Sequence, residues 1–294
     1  MNLPNRKISQ GGPIRVGQIN FTNVWPVSFF FSEQLTEPCV EIVTSVPTRL
    51  NEAMRNKQLD MGPISSFAYG VSADEYVLFP DLSVSAYGEV GSILLFLRKP
   101  LDELMPRSVA LPTTSATSIN LLKIILETFY GASPDYFTCP PQLDAMMRDH
   151  DAALLIGDDA IRASWSNRGE YEVVDLGDCW RRFTGESMTF AVWAVREETA
   201  RAYPERLSVI HDAYRRSKQL AKANLSPLVA KAVQTVGGTP EYWRGYFSGL
   251  IHDFGQREQN GLQLYFRYAK QLGLLQHDVP LRIWSGHSVA QVKE

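Results

Sequence analysis

Short apolar strands in this chain repeatedly give way to helices, and that alternation limits the folds open to it. "VEIVTS" (Val40–Ser45) precedes "PTRLNEAMRNKQ" (Pro47–Gln58), a helix with Pro in its first turn and Leu50, Ala53 and Met54 on one face. "LDMGPISSFAYG" (Leu59–Gly70) is a strand entering a helix through Gly-Pro-Ile-Ser-Ser. The pattern resumes at "SVALP" (Ser108–Pro112), followed by the polar turn "TTSATS" and the helix "INLLKIILETFYG", which ends on Gly131. "DYFTCP" leads to "QLDAMMRDH", and "AALLIG" (Ala152–Gly157) leads to "DDAIRASW". Such units build mostly parallel α/β sheets, because each helix covers the sheet its strands enter.

Two features divide the pattern into two lobes. The apolar strand "FAVWAVR" (Phe190–Arg196) has no crossover helix directly after it. From Tyr203 onward the chain is nearly all helical. The chain is therefore expected to leave lobe one after Phe96 and return after "FAVWAV", so that two strands form a hinge. Lobe one would hold residues 1–96 and 197–294, and lobe two residues 97–196. Residues 1–12 read as a loose arm. Ligands of α/β sheets bind beyond the carboxyl ends of the strands, and here those ends from both lobes would face one cleft.

Composition narrows what that cleft can take. The net charge is −3 and there is no Lys/Arg run, which argues against nucleic acid. No apolar run is long enough to span a membrane. The first residues lack the apolar core of a secretion signal, so a soluble cytoplasmic protein is expected. Cys39, Cys139 and Cys179 are far apart and read as reduced thiols. The five histidines show no ligand spacing and read as surface or helix residues. No P-loop, GxSxG or strand-following GxGxxG occurs. Nucleotide, metal and covalent chemistry thus lack a motif.

What remains is a set of small, hydroxyl-rich turns. Helix N-termini offer unpaired amides to an anion, and Ser/Thr add donors. Thr114, Ser115, Ala116, Thr117 and Ser118 could grip one carboxylate, and Ser65 and Ser66 another polar group from the opposite lobe. Plain capping of the two helices is the competing reading. Gly157 and Asp158 begin a third turn, where Asp158 and Asp159 are either a base or capping acids. The stretch "GEVGSILLF" (Gly88–Phe96) places Ser92, behind Gly88 and Gly91, where a buried strand begins.

Several blocks, in order, resemble the chorismate dehydratases of the futalosine route to menaquinone. They are "NFTNVWP" (Asn20–Pro26), "MGPISSFAY" (Met61–Tyr69), "LFPDLSVSAYGEVGSILLF" (Leu78–Phe96), "SVALPTTSATSINLLKIIL" (Ser108–Leu126), "ALLIGDDAI" (Ala153–Ile161) and "FAVWAVR". The resemblance spans residues 14 to 275. It implies a two-lobed fold like the type II periplasmic binding proteins. It implies a carbon–oxygen lyase that removes water from chorismate to give 3-[(1-carboxyvinyl)oxy]benzoate. Aromatisation drives that reaction, so no cofactor or metal is called for. Asn23 and Ser92 match the family's Asn and Ser, and Gly88 and Gly91 would let the backbone make room for the substrate ring. The base would be the substrate's own side-chain carboxylate, with Asp158 as the protein alternative. Two departures stand out: Phe21-Thr22-Asn23 replaces aromatic–Leu–Asn, and polar Glu186–Thr189 precedes "FAVWA". A solute-binding protein for a small carboxylate would share the fold. So would 1,4-dihydroxy-6-naphthoate synthase, whose Cys-Pro block and cleft His are not evident here.

Overall fold

The structure, a computed structural model, describes residues 12–35 and 40–286 and the backbone of 289–291. The arm before Gly12, residues 36–39 including Cys39, residues 287–288 including His287, and residues 292–294 lie outside the described residues.

The first segment runs β1 (Ile14–Ile19), α1 (Trp25–Ser28), β2 (Val40–Ser45), α2 (Pro47–Arg55), β3 (Met61–Ser65), α3 (Ser66–Val71) and β4 (Tyr76–Ala86). The middle segment runs β5 (Ile93–Leu97), β6 (Ser108–Pro112), α4 (Thr117–Lys123), β7 (Asp135–Cys139), α5 (Leu143–Asp149), β8 (Ala152–Ile156), α6 (Gly157–Ser166), β9 (Glu172–Asp175) and α7 (Leu176–Thr184). The return brings β10 (Met188–Arg196), then α8 (Glu197–Ala202), α9 (Pro204–Ala223), α10 (Ser226–Thr235), α11 (Pro240–Gly249), α12 (Gln256–Gln271), β11 (Arg282–Trp284) and β12 (Val289–Gln291).

Two sheets result, ordered β12-β11-β4-β10-β3-β1-β2 and β7-β6-β8-β5-β9. The chain passes between them twice, at residues 87–92 and 185–187. The sheets are mixed rather than mostly parallel. β1 pairs parallel with β2 and β3, and β6 with β7 and β8. β10 runs antiparallel to β3 and β4, and β5 antiparallel to β8 and β9. The physical reason is the crossing itself. A strand that carries the chain between sheets is not part of a βαβ unit, so nothing obliges it to run parallel. Sheet pairing also divides the chain differently from the expected boundaries: β5 belongs to the second sheet and β10 to the first.

β4 is the element least evident in the sequence. Pro80 and Asp81 interrupt it, and Asp81 adopts φ 59°. The ladder to β10 shifts register there, between Val192 and Ala194. Pro in a strand interior marks such an irregularity. The buried face of β4 is also polar: Ser83 and Ser85 bond to each other at 2.8 Å, and Ser85 to Thr189 at 2.8 Å. This hydroxyl ladder takes in Thr189, the polar residue directly before "FAVWA". The start of the tail packs as a strand, with β11 parallel to β4 through Ile283 and Leu78.

Candidate active site

The carboxyl ends of β1 and β3 in the first sheet meet those of β8 and β6 in the second at two points. After β1, Phe21 is extended and Thr22–Val24 make one tight turn. The Thr22 amide and hydroxyl donate to Asp158 Oδ1 at 3.3 and 2.6 Å. The Phe21 ring lies over Gly157, which opens α6 at φ 60°. A Cβ there would stand 3.0 Å from that ring, so only glycine fits both the backbone and the space. At the second point, the Phe67 amide of α3 donates to Thr117 Oγ at 3.0 Å.

Asp158 is not a cap of its own helix; α6 has no side-chain cap. It spans the sheets instead. Burial pushes its carboxyl above the usual range, opposed by the two Thr22 bonds and Arg162. Asp159 forms an exposed 2.7 Å pair with Arg162.

Ser92 is fully buried where the first crossing enters β5. Its carbonyl accepts the Gly157 amide at 2.7 Å, and its Oγ accepts the Tyr246 phenol at 3.0 Å. The two glycines ahead of it stand close to protein side chains. A Cβ at Gly88 would stand 3.2 Å from Arg181, and one at Gly91 3.3 Å from the Tyr246 ring. The crossing is held by Asp175, which caps α7 and accepts from the Val90, Gly91, Gly177 and Asp178 amides at 2.7–3.1 Å. Burial raises the Asp175 pKa and these four donors oppose the rise.

Asn23 is half-buried, and its Oδ1 is buried with no hydrogen-bond partner among the described residues. Its carbonyl accepts from His252 Nε2 at 2.8 Å, the tautomer being assigned by that acceptor. His252 corrects the expectation that every histidine sits on the surface or in a helix. It lies buried in the connection after α11, and burial depresses its pKa to about 4. Asn23, Ser92, Gly157 and Asp158 are thus linked into one cluster, with Tyr246 and His252 added.

The hydroxyls of the second set are committed within the protein. Ser65 caps α3 through the Ala68 amide at 3.2 Å and bonds Asn51 at 3.1 Å. Ser66 donates to the Thr189 carbonyl at 2.7 Å. Ser115 accepts the Ser118 amide at 3.1 Å. Ser65 therefore caps α3, Ser115 closes the turn before α4, and Thr117 clasps the opposite lobe. Thr114 and Ala116 are half-buried beside them. A cavity of about 540 Å³ opens elsewhere, behind His252, lined by Arg215, Lys218, Lys222 and Asp253 among others; none of the expected site residues lines it. Among the described residues no group of three His, Cys, Asp or Glu could hold a metal, and no helix is long and apolar enough to cross a membrane.

Two sheets, crossed twice by the chain, with polar strand ends meeting across the gap, define a periplasmic-binding-protein fold. Solved structures agree. A protein of Archaeoglobus fulgidus matches with a TM-score of 0.73 at 17% identity, covering 91% of this chain and all of that one. The periplasmic aliphatic sulphonate binding protein of Escherichia coli matches at 0.68 and 16% identity, covering 94% and 98%. Within that fold, residues 14–271 match the family described as menaquinone biosynthesis. A protein of Thermus thermophilus, named chorismate dehydratase, is 30% identical over 276 residues, which are 89% of this chain and 96% of that protein. The chain belongs to this menaquinone biosynthesis family.

Proposed function

We propose that the chain is a chorismate dehydratase, a hydro-lyase that converts chorismate to 3-[(1-carboxyvinyl)oxy]benzoate and water. The observation that carries this is the near full-length similarity to the Thermus thermophilus enzyme. The site chemistry supports it. The ring carbon bearing the enolpyruvyl ether loses a proton, and its neighbour loses hydroxide. The ring becomes aromatic, so the protein need only orient the acid, exclude water and assist both departures.

Asn23 and Ser92 are assigned to the reacting groups. The Asn23 Oδ1 is a buried acceptor awaiting a donor, and a ring hydroxyl is one. Ser92 Oγ already accepts from Tyr246, so its own proton is available to a leaving oxygen. The Thr114–Thr117 and Ser65–Ser66 turns are assigned to the substrate's carboxylates, although Ser65 and Ser66 are buried here and the Ser65 amide donates to Asn51 Oδ1 at 3.1 Å. A carboxamide and a hydroxyl are poor bases, so the proton is assigned to the substrate's own side-chain carboxylate. Asp158 has one oxygen engaged by both Thr22 donors, which suits it to bracing the cleft.

The test is Asn23→Ala and Ser92→Ala, each measured for turnover of chorismate. Each is expected to lower kcat/KM by about a hundredfold or more. Wild-type turnover in both variants would remove these residues from the reaction.

A further inference from the structure

Tyr246 lies on α11 among other aromatics, Tyr242, Trp243 and Phe247. Its ring packs among them, stacked on Tyr242 at 6.2 Å and edge-on to Trp243 at 5.5 Å. Its hydroxyl does something else. A buried phenol requires a partner, and the partner is Ser92 Oγ, with the phenol as donor at 3.0 Å. The approach depends on Gly91, which sits at φ 70° with the Tyr246 ring 3.3 Å from its absent Cβ.

The direction of that bond has a chemical consequence. A serine oxygen that accepts from a phenol keeps its own proton for another acceptor. Among the described residues no protein group accepts from Ser92 Oγ. We propose that Tyr246 is a positioning residue: by donating to Ser92 Oγ, it turns the Ser92 proton toward the departing hydroxyl of the substrate. Burial pushes the phenol well above its ordinary pKa, and the Asp158 carboxyl adds to the shift, so Tyr246 remains a donor at any working pH. The inference rests on the assignment of Ser92 to the reaction.

A double-mutant cycle tests it. Tyr246→Phe removes one oxygen and keeps the ring. It is expected to lower kcat about tenfold, to change KM less than about threefold, and to leave the melting temperature within about 3 °C. Ser92→Ala combined with Tyr246→Phe is expected to turn over no more slowly than Ser92→Ala alone, within about twofold. Unchanged kcat in Tyr246→Phe would overturn the proposal while leaving Ser92 in place. So would losses that multiply in the double variant, because Tyr246 would then act independently of Ser92. Full activity in Ser92→Ala would overturn the underlying assignment instead.

Discussion

At Gly157 two demands meet in one residue. The backbone stands at φ 60° and the Phe21 ring fills the place of a side chain. Gly157→Ala is expected to cost about 1–3 kcal/mol in urea unfolding and to depress turnover, because Phe21 and the Thr22–Asp158 bonds move together. Asp158 offers the sharper chemical test. If the substrate supplies the base, Asp158→Asn keeps turnover within about tenfold, since the amide still accepts from Thr22. Loss of turnover with chorismate binding intact would move the base to Asp158. Asn23 and Ser92 were singled out as candidates because each sits in a short, ordered sequence block. Their partners were not. Tyr246 lies 154 residues from Ser92, and His252 lies 229 from Asn23. Nothing local marks such pairs, since an aromatic at helical spacing and a lone histidine both read as ordinary packing.

Among the elements, the crossing into β5 relies on one carboxylate. Asp175 receives amides from the crossing and from the first turn of α7. Asp175→Ala is expected to destabilise the chain by about 2 kcal/mol in urea unfolding, since a cap is lost and buried amides are left unpaired. A second effect comes from the connection after α11. The folded pKa of His252, about 4, lies below the ordinary 6.5, so the unfolded chain binds the extra proton between those values. Stability therefore falls as pH drops from 6.5 toward 4, by about 2 kcal/mol from this residue between pH 7 and 5. His252→Gln keeps a donor for Asn23 and should flatten that part of the urea-midpoint profile. An unchanged slope would place the acid sensitivity elsewhere, with His211, also depressed by burial, the next group to test. Most helices and strands were readable from periodicity. β4 escaped because its buried face carries serines and its middle carries Pro-Asp, so neither alternation nor an unbroken apolar run survives.

On the scale of the whole molecule, the βα alternation and the helical C-terminal third were enough to anticipate two α/β units. They could not reveal that β5 and β10 change sheets relative to the expected boundaries. A buried strand looks the same from sequence in either sheet, and only its partners decide. The assembled fold brings four strand ends together, so that Phe21 meets Gly157 and Phe67 meets Thr117 across the gap. A fold shared with solute-binding proteins does not by itself distinguish a catalyst from a receptor. The measurement that does so is incubation of the purified chain with chorismate, followed by liquid chromatography and mass spectrometry. The account predicts that chorismate disappears with loss of one water and that 3-[(1-carboxyvinyl)oxy]benzoate accumulates over many turnovers. Chorismate bound in calorimetry but recovered unchanged would contradict it and leave a binding protein in its place.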